Sequence, residues 1–389
     1  MHQNTSKLIS ETISQRKTML GVGPMSINCV ESTIELSDQY NIPIMLIPSR
    51  RQIDSKKQGG GYCNNWSTED FTRYVIKNCK KNKIILCRDH GGPWQNNFEI
   101  NNKLNLKEAM KSSKQSFESD IDCGIKVIHI DPSITTNNKK LKIDETLNRI
   151  YELYEHCYSY SQKTKKKILF EVGTEEQSGS TNTFEEIEYF LKKLENFYVK
   201  YRIPKATFVV IQCGTKVMET KNIGSFEYPL RIINEIPVEI QLPKTIDICK
   251  KYNVYMKEHN ADYLSDESLM WHPRLGIHAV NVAPEFGVAE TKSLIRILKN
   301  LNLNNLVNKF LEISYNSMKW EKWVNNKNKL SDYDKSILSG HYVFSDPQVK
   351  EIINKAAKNK NKDFINEEIK KEIKKSIKRY LYFFNLIKY

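Results

Sequence analysis

Eight short apolar, β-rich runs recur along the chain, and most are followed by a stretch with helical periodicity. Thr18–Val22 leads into Ile27–Tyr40, and Ile42–Ile47 reaches the helical stretch Thr68–Lys80 across a long loop. Lys83–Cys87 precedes Leu106–Glu118, Lys126–Ile130 precedes Ile143–Ser161, and Lys167–Val172 precedes Phe184–Lys200. Thr207–Ile211 is followed by an irregular stretch and then Pro243–Lys251. Val254–Lys257 is followed by Ser265–Trp271, and Gly276–Val282 by Ala289–Leu301. Strands that alternate with helices predict an α/β protein with a parallel sheet and covering helices. Eight such units in roughly 300 residues fit a closed (β/α)8 TIM barrel, whose usual size is ~250 residues plus insertions.

Local signals support the helices. Ser67-Thr-Glu-Asp70 reads as a capping box, with the Asp70 carboxylate reaching back toward the Ser67 amide, and Thr183-Phe-Glu-Glu186 opens the helix after run five in the same way. Beyond the barrel, Val307–Asn325 is apolar and Trp-containing, a loop carries Gly340-His-Tyr, and residues 347–389 read as helical. Ile365, Ile369, Ile373, Ile377 and Leu381 recur every four residues, which predicts an amphipathic helix serving as a packed extension or an oligomer contact. The expected organisation is a polar N-terminal segment (1–17), the barrel (18–305) and a mainly helical C-terminal extension (306–389).

Composition narrows the function classes. Of the net charge of +14, half sits in residues 350–389, which hold 12 Lys/Arg against 5 Asp/Glu. The body of the chain is therefore only mildly basic, and no nucleic-acid reading module is evident, so no nucleic-acid partner is expected. A mildly basic site still suits an anionic small molecule. There is no run of 18 apolar residues and no apolar leader, so no membrane association is expected and a cytoplasmic location is. None of the eight cysteines forms a C-x-x-C pair, and reduced thiols are expected.

In a (β/α)8 barrel the active site lies at the C-terminal ends of the strands, so ionisable groups there converge although distant in sequence. Run three ends in Arg88-Asp89-His90-Gly91-Gly92-Pro93, and run seven in Glu258-His259-Asn260. His90 and His259 are the candidate metal ligands, because imidazoles from two strands plus a carboxylate leave an open coordination position. Glu175, after run five, is the third candidate, with Gln212 and Glu171 competing for the place. Asp131 at the end of run four is a site candidate and His129 a structural one. Asn281 reads either as a donor to a substrate hydroxyl or as a loop residue, and His272 and His341 as surface or packing residues. Arg50 and Arg51 follow run two, where an anion fits. The Gly59-Gly60-Gly61 triplet precedes a capped helix, and exposed amides of that kind cradle phosphate, although a flexible loop is the default reading.

These residues, in this order, resemble the tagatose-bisphosphate aldolase non-catalytic subunit family, which includes tagatose-6-phosphate 4-epimerase-like proteins and has the class II fructose-bisphosphate aldolases as distant relatives. The matching segments are Gln58-Gly-Gly-Gly-Tyr62 with Thr68-x-Asp70-Phe71, Asp89-His-Gly-Gly-Pro93, Ile128-His-Ile-Asp131 with Ser133, and Val172-Gly-Thr-Glu175. Val209-Val-Ile-Gln212 with Gly214, Glu258-His-Asn-Ala-Asp-Tyr263, Val280-Asn-Val-Ala-Pro284, Gly340-His-Tyr and Pro347-x-Val349 follow. The resemblance implies a metal-dependent barrel acting on ketoses or ketose phosphates, with a divalent metal, Zn first and Mn or Co as alternatives. It implies metal-binding positions at His90 and His259, an acid/base position at Asp89, and a substrate-contacting position near Asn281. The expected catalytic set is Asp89, Glu175 and Asp131; the metal set is His90, His259 and Glu175; substrate binding falls to Arg50, Arg51, Gln212, Asn281, Gly59 and Gly60. The implied activity is C4 epimerisation of a fructose/tagatose 6-phosphate-type sugar by retro-aldol chemistry, with true aldol cleavage or a stabilising-subunit role as alternatives. A sugar phosphate, a second copy of the chain or a partner aldolase subunit are the expected partners. Where the family has an acidic, Asn/Gln-rich end to strand two, this chain has Pro48-Ser-Arg-Arg-Gln52, and two arginines favour an anionic group.

Overall fold

The computed structural model describes residues 4–136, 141–173, 181–228, 236–324, 329–358 and 361–388. Eight parallel strands close a barrel: β1 (Met19–Val22), β2 (Ile44–Leu46), β3 (Ile84–Gly91), β4 (Val127–Ile130), β5 (Leu169–Gly173), β6 (Phe208–Val210), β7 (Tyr255–Glu258) and β8 (Ala279–Val282). Each pairs with its neighbours in sequence, and β8 closes on β1 through Met19↔Ala279 to Val22↔Val282. The strands coincide with the eight apolar runs because both faces are buried, one against the barrel interior and one against the helices, except that β3 continues four residues past its run to Gly91 and β5 and β7 one residue past theirs. The covering helices follow the same logic. Ser26 caps Ile27–Tyr40 by accepting the Cys29 amide, and Thr183 and Glu186 form the reciprocal box expected at the start of Phe184–Tyr201. At Ser67 the hydroxyl accepts the Asp70 amide and donates to the Asp70 carboxylate at 2.7 Å.

The polar N-terminal segment is not featureless. Thr5–Ser14 is a helix whose Leu8 and Ile9 pack against Met19, Met45, Ile85, Val127 and Phe208, at the N-terminal end of the barrel. Three apolar residues, Leu8, Ile9 and Ile13, among polar neighbours carry too little periodicity to announce it.

The helix Lys362–Phe383 is a packed extension. Ile365, Ile369, Ile373, Ile377 and Leu381 are fully buried against the helices Ile27–Tyr40 and Pro284–Asn300. Its basic residues meet acids on the barrel: Lys370 and Lys374 each lie 2.8 Å from Glu35, and Arg379 lies 2.6 Å from Asp266. Half of the chain's excess positive charge is thus partly answered within the fold. Among the described residues, no helix is long and apolar enough to cross a membrane. All eight cysteines are free.

Within the C-terminal extension, His341 is buried with its ring 4.1 Å from that of Tyr342, and a Cβ on Gly287 would come 2.5 Å from its Cγ. Neither ring nitrogen has a partner among the described residues. Burial, aided by nearby Lys322, pushes its pKa down from 6.5 to about 3. The folded-state value lies below the unfolded one, so this stabilisation is present above pH 6.5 and is lost as pH falls toward 3. Between pH 7 and pH 5 the loss is about 2 kcal/mol. Urea unfolding at those two pH values should show a fall smaller by about that amount in His341→Leu than in the wild type.

Candidate functional site

The C-terminal ends of β3, β4, β5, β7 and β8 bring an unusual density of ionisable groups to one rim. Inward-facing positions place His129 beside Glu171 in register across β4 and β5. A bulge between Arg88 and Gly91 re-aims the end of β3, and His90 takes a left-handed φ of 44° there. Such strained backbone in a non-glycine residue needs support from its surroundings. The support is visible: the His90 amide donates to His129 Nδ1 at 3.2 Å, and His90 Nδ1 bonds Asp131 Oδ2 at 2.9 Å.

The three imidazoles of His90, His129 and His259 form a near-equilateral triangle, with ring centroids 5.9, 5.3 and 5.3 Å apart. Asp89 sits among them. Its carboxylate oxygens are 3.7 Å from His90 Nε2, 3.4 Å from His129 Nδ1 and 3.6 Å from His259 Nε2. Glu171 Oε1 lies 3.4 Å from His259 Nε2, while its Oε2 accepts from Lys257 Nζ at 2.7 Å. Asn281 Nδ2 bridges Asp89 Oδ1 and His259 Nε2, each at 3.1 Å. Gly21 makes room for this amide, because a Cβ there would come 2.3 Å from Asn281 Oδ1. Asp131 is fully buried and also accepts from Gln95 Nε2 at 2.7 Å and the Ser133 amide at 3.1 Å.

Electrostatics hold both carboxylates ionised. Burial alone would raise Glu171, but the Lys257 ammonium, then His129 and His259, bring it down to about 2. Burial would raise Asp89 too, and the surrounding imidazoles instead hold it far below the usual carboxylate range. The residues fit a divalent cation. Ligand atoms from Asp89, His129, Glu171 and His259 all lie within 4.8 Å of one another. With zinc–nitrogen bonds near ~2.0 Å, three imidazoles on one ion would put their centroids about 5 Å apart, close to the triangle seen here. Asp131 on His90 Nδ1 is the kind of carboxylate that orients a metal-bound imidazole.

Above this cluster opens a cleft of about 530 Å³, ample for a small sugar derivative. Asp89, His90, Asp131, His259 and Asn281 line it, while His129 and Glu171 are fully buried in the barrel wall.

Residues 10–208 match the family described as D-tagatose-1,6-bisphosphate aldolase subunit GatZ/KbaZ-like. The chain belongs to this family. A solved structure from Sinorhizobium meliloti 1021, a probable tagatose 6 phosphate kinase, is similar over 95% of this chain and 100% of that chain, at 15% identity and a TM-score of 0.68. Fructose-bisphosphate aldolase (Fba) from Campylobacter jejuni is similar over 98% of this chain and 94% of that chain, at 11% identity and a TM-score of 0.56. At these identities the likeness is one of fold. No curated protein matches the chain.

In this GatZ/KbaZ-like barrel, Asp89, His90, Asp131, His259 and Asn281 meet at the cleft, whereas other expected site residues do not. Arg50 is fully buried and committed to Asp54 (2.9 Å), Glu99 (2.6 Å) and the Gly92 carbonyl (2.6 Å). Two carboxylates already answer its charge, so it braces the turn after β3 rather than facing an anion. Arg51, its neighbour, does line the cleft. Gly59 and Gly60 are not a phosphate cradle, because their amides donate to Lys56 and Ser55 carbonyls, and the Gly61 amide donates to that of Trp66. Gln212 lies outside the cleft lining, with its amide held by Asn182 Oδ1 at 2.8 Å. Glu175 lies outside the described residues. His272 is a packing residue, bonded to Glu258 at 3.0 Å. His129, Glu171 and Lys257 were undervalued by sequence reasoning. The available signal was an ionisable group interrupting an apolar strand, repeated on neighbouring strands.

Proposed function

We propose that this GatZ/KbaZ-like protein is a divalent-cation-dependent enzyme of ketose phosphates that inverts C4 of a fructose/tagatose 6-phosphate-type substrate. The observation that carries this reading is the triangle of His90, His129 and His259 around Asp89 at the base of a substrate-sized cleft. His129, His259 and Glu171, whose ligand atoms lie within reach of one ion, would hold the cation with His90 as the third imidazole, which leaves Asp89, also within that reach, as the base. A bound Zn²⁺, Mn²⁺ or Co²⁺ supplies Lewis acidity toward a ketose carbonyl and its neighbouring hydroxyl. Asp89 takes the proton from the C4 hydroxyl as the C3–C4 bond breaks, and returns one when the bond reforms. Asn281 holds the Asp89 carboxylate by its Oδ1, and Asp131 fixes the His90 ring. If the aldehyde half turns before the bond reforms, C4 is inverted; if it departs, the same residues perform an aldol cleavage.

The test is NMR analysis of D-fructose 6-phosphate and D-tagatose 6-phosphate incubated with the purified protein and each cation. Interconversion is expected, lowered by on the order of 10²–10⁴-fold in Asp89→Asn. Release of a three-carbon product would assign aldol cleavage instead. The family's description as an aldolase subunit favours a second reading, a stabilising partner of an aldolase chain. Co-purification with such a chain and no turnover with any cation would establish it.

A further inference from the structure

One wall of the cleft does not come from the barrel. Lys319, Lys322 and Trp323 belong to the short 3₁₀ turn Lys319–Trp323 of the C-terminal extension, and Tyr342 to a second turn, Gly340–Val343. They face Arg51 and Tyr62 from the loop after β2. The two parts are tied together: the Tyr62 and Tyr342 rings are 4.8 Å apart, and Ser345 Oγ donates to the Tyr62 carbonyl at 2.8 Å. Trp323 Nε1 donates to the Tyr342 hydroxyl at 3.2 Å, and Lys322 Nζ lies 4.3 Å from the Trp323 ring and 5.2 Å from the Tyr342 ring.

Three cations therefore share this wall, and none makes an ion pair among the described residues. Arg51 Nε is buried without a hydrogen-bond partner there. Burial pulls the Arg51 guanidinium below its usual range. Crowding by the cleft walls, and then the charges of Arg51 and Lys319, lower the Lys322 ammonium, although the residue keeps contact with solvent. Like charges crowded without a carboxylate between them cost free energy that a bound anion would relieve. The carboxylates of the cleft, Asp89, Asp131 and Asp262, sit instead at the ends of β3, β4 and β7.

We propose that Arg51, Lys319 and Lys322 form a subsite for the phosphate monoester of the substrate, completed by the C-terminal extension. The inference rests on reading the cleft as a ketose-phosphate site. A polyol then lies between the acidic barrel rim and this basic wall, and the phosphate selects phosphorylated over free sugars. Arg50, in contrast, takes no part.

Calorimetric titration of the full chain with D-fructose 6-phosphate, D-fructose and inorganic phosphate tests this, using wild type, Arg51→Gln and Lys322→Gln, each with Mn²⁺ titrated separately. The wild type should bind fructose 6-phosphate at least about tenfold more tightly than fructose, and each variant should lose about tenfold of that preference with Mn²⁺ affinity unchanged. An unchanged preference in both variants, with Mn²⁺ affinity intact, overturns the subsite. Loss of inorganic phosphate binding alone, with fructose 6-phosphate unaffected, also overturns it, because the wall then serves a free anion. Absence of Mn²⁺ binding, with the preference present and lost in the variants, leaves the subsite standing and removes the cation-dependent function.

Discussion

Alanine in place of His259 is expected to weaken Zn²⁺ or Mn²⁺ binding by at least about 100-fold, since even partners of metal ligands are worth 10–100-fold. The ring stands 5.3 Å from both other imidazoles and receives the Asn281 amide on Nε2. Its removal leaves His90 and His129 facing an open corner, with Asp89 and Glu171 lacking one of the groups that hold them ionised. The readout is thermal. A ligand present at 100 times its dissociation constant stabilises the folded state by about 2.7 kcal/mol. Wild-type protein should therefore melt higher with Mn²⁺ than with chelator, and His259→Ala should melt alike in both. A wild type indifferent to all three cations would refute the metal centre outright.

The second large effect lies behind the site. Arg88, fully buried on β3, donates to both Asp120 oxygens at 2.7 and 2.5 Å, to the Pro48 and Ile53 carbonyls at 2.9 and 2.8 Å, and to Thr68 Oγ1 at 3.2 Å. Asp120→Ala strands that guanidinium in a dry interior. Breaking one side of a buried pair costs about 3–5 kcal/mol, so urea unfolding should show a loss of that size. The double variant Arg88→Met/Asp120→Leu should recover much of it, because the penalty comes from the orphaned charge and not from the pair itself. A double variant as unstable as the single one would assign the effect to the lost carbonyl contacts instead.

How much of this was readable in the sequence depends on the kind of signal. Every strand overlaps its apolar run, because a strand buried on both faces needs continuous hydrophobicity, but β3 runs on through Arg88-Asp89-His90 to Gly91, and β5 and β7 each extend one residue past their runs. The helix Thr5–Ser14 escaped notice because only Leu8, Ile9 and Ile13 mark its apolar side. At the site, Asp89 and His259 were legible from the barrel rule because each follows an apolar run, the first within the extended end of β3 and the second just after β7, and Asn281 was singled out although it lies inside β8. What the side chains inside the runs meet was not legible. His129 against Glu171, and Glu171 against Lys257, make sense only once register sets them side by side. Arg50 and Arg51 are adjacent and chemically identical, yet one is consumed by Asp54 and Glu99 and the other faces the cleft. Asp54, four positions on, is a local partner for Arg50 alone, but Glu99, which completes its burial, lies 49 positions away and cannot be read locally.

The helix Lys362–Phe383 rests on both Ile27–Tyr40 and Pro284–Asn300, the helices that flank the junction of the first and last strands. A ribosome delivers this latch after all eight strands and after the turn that carries Lys322. A nascent chain that has finished all eight strands would still expose the apolar faces on either side of the seam and would lack one side of its binding cleft. Premature termination late in translation should therefore yield a product that is both aggregation-prone and inert, and not a smaller working barrel.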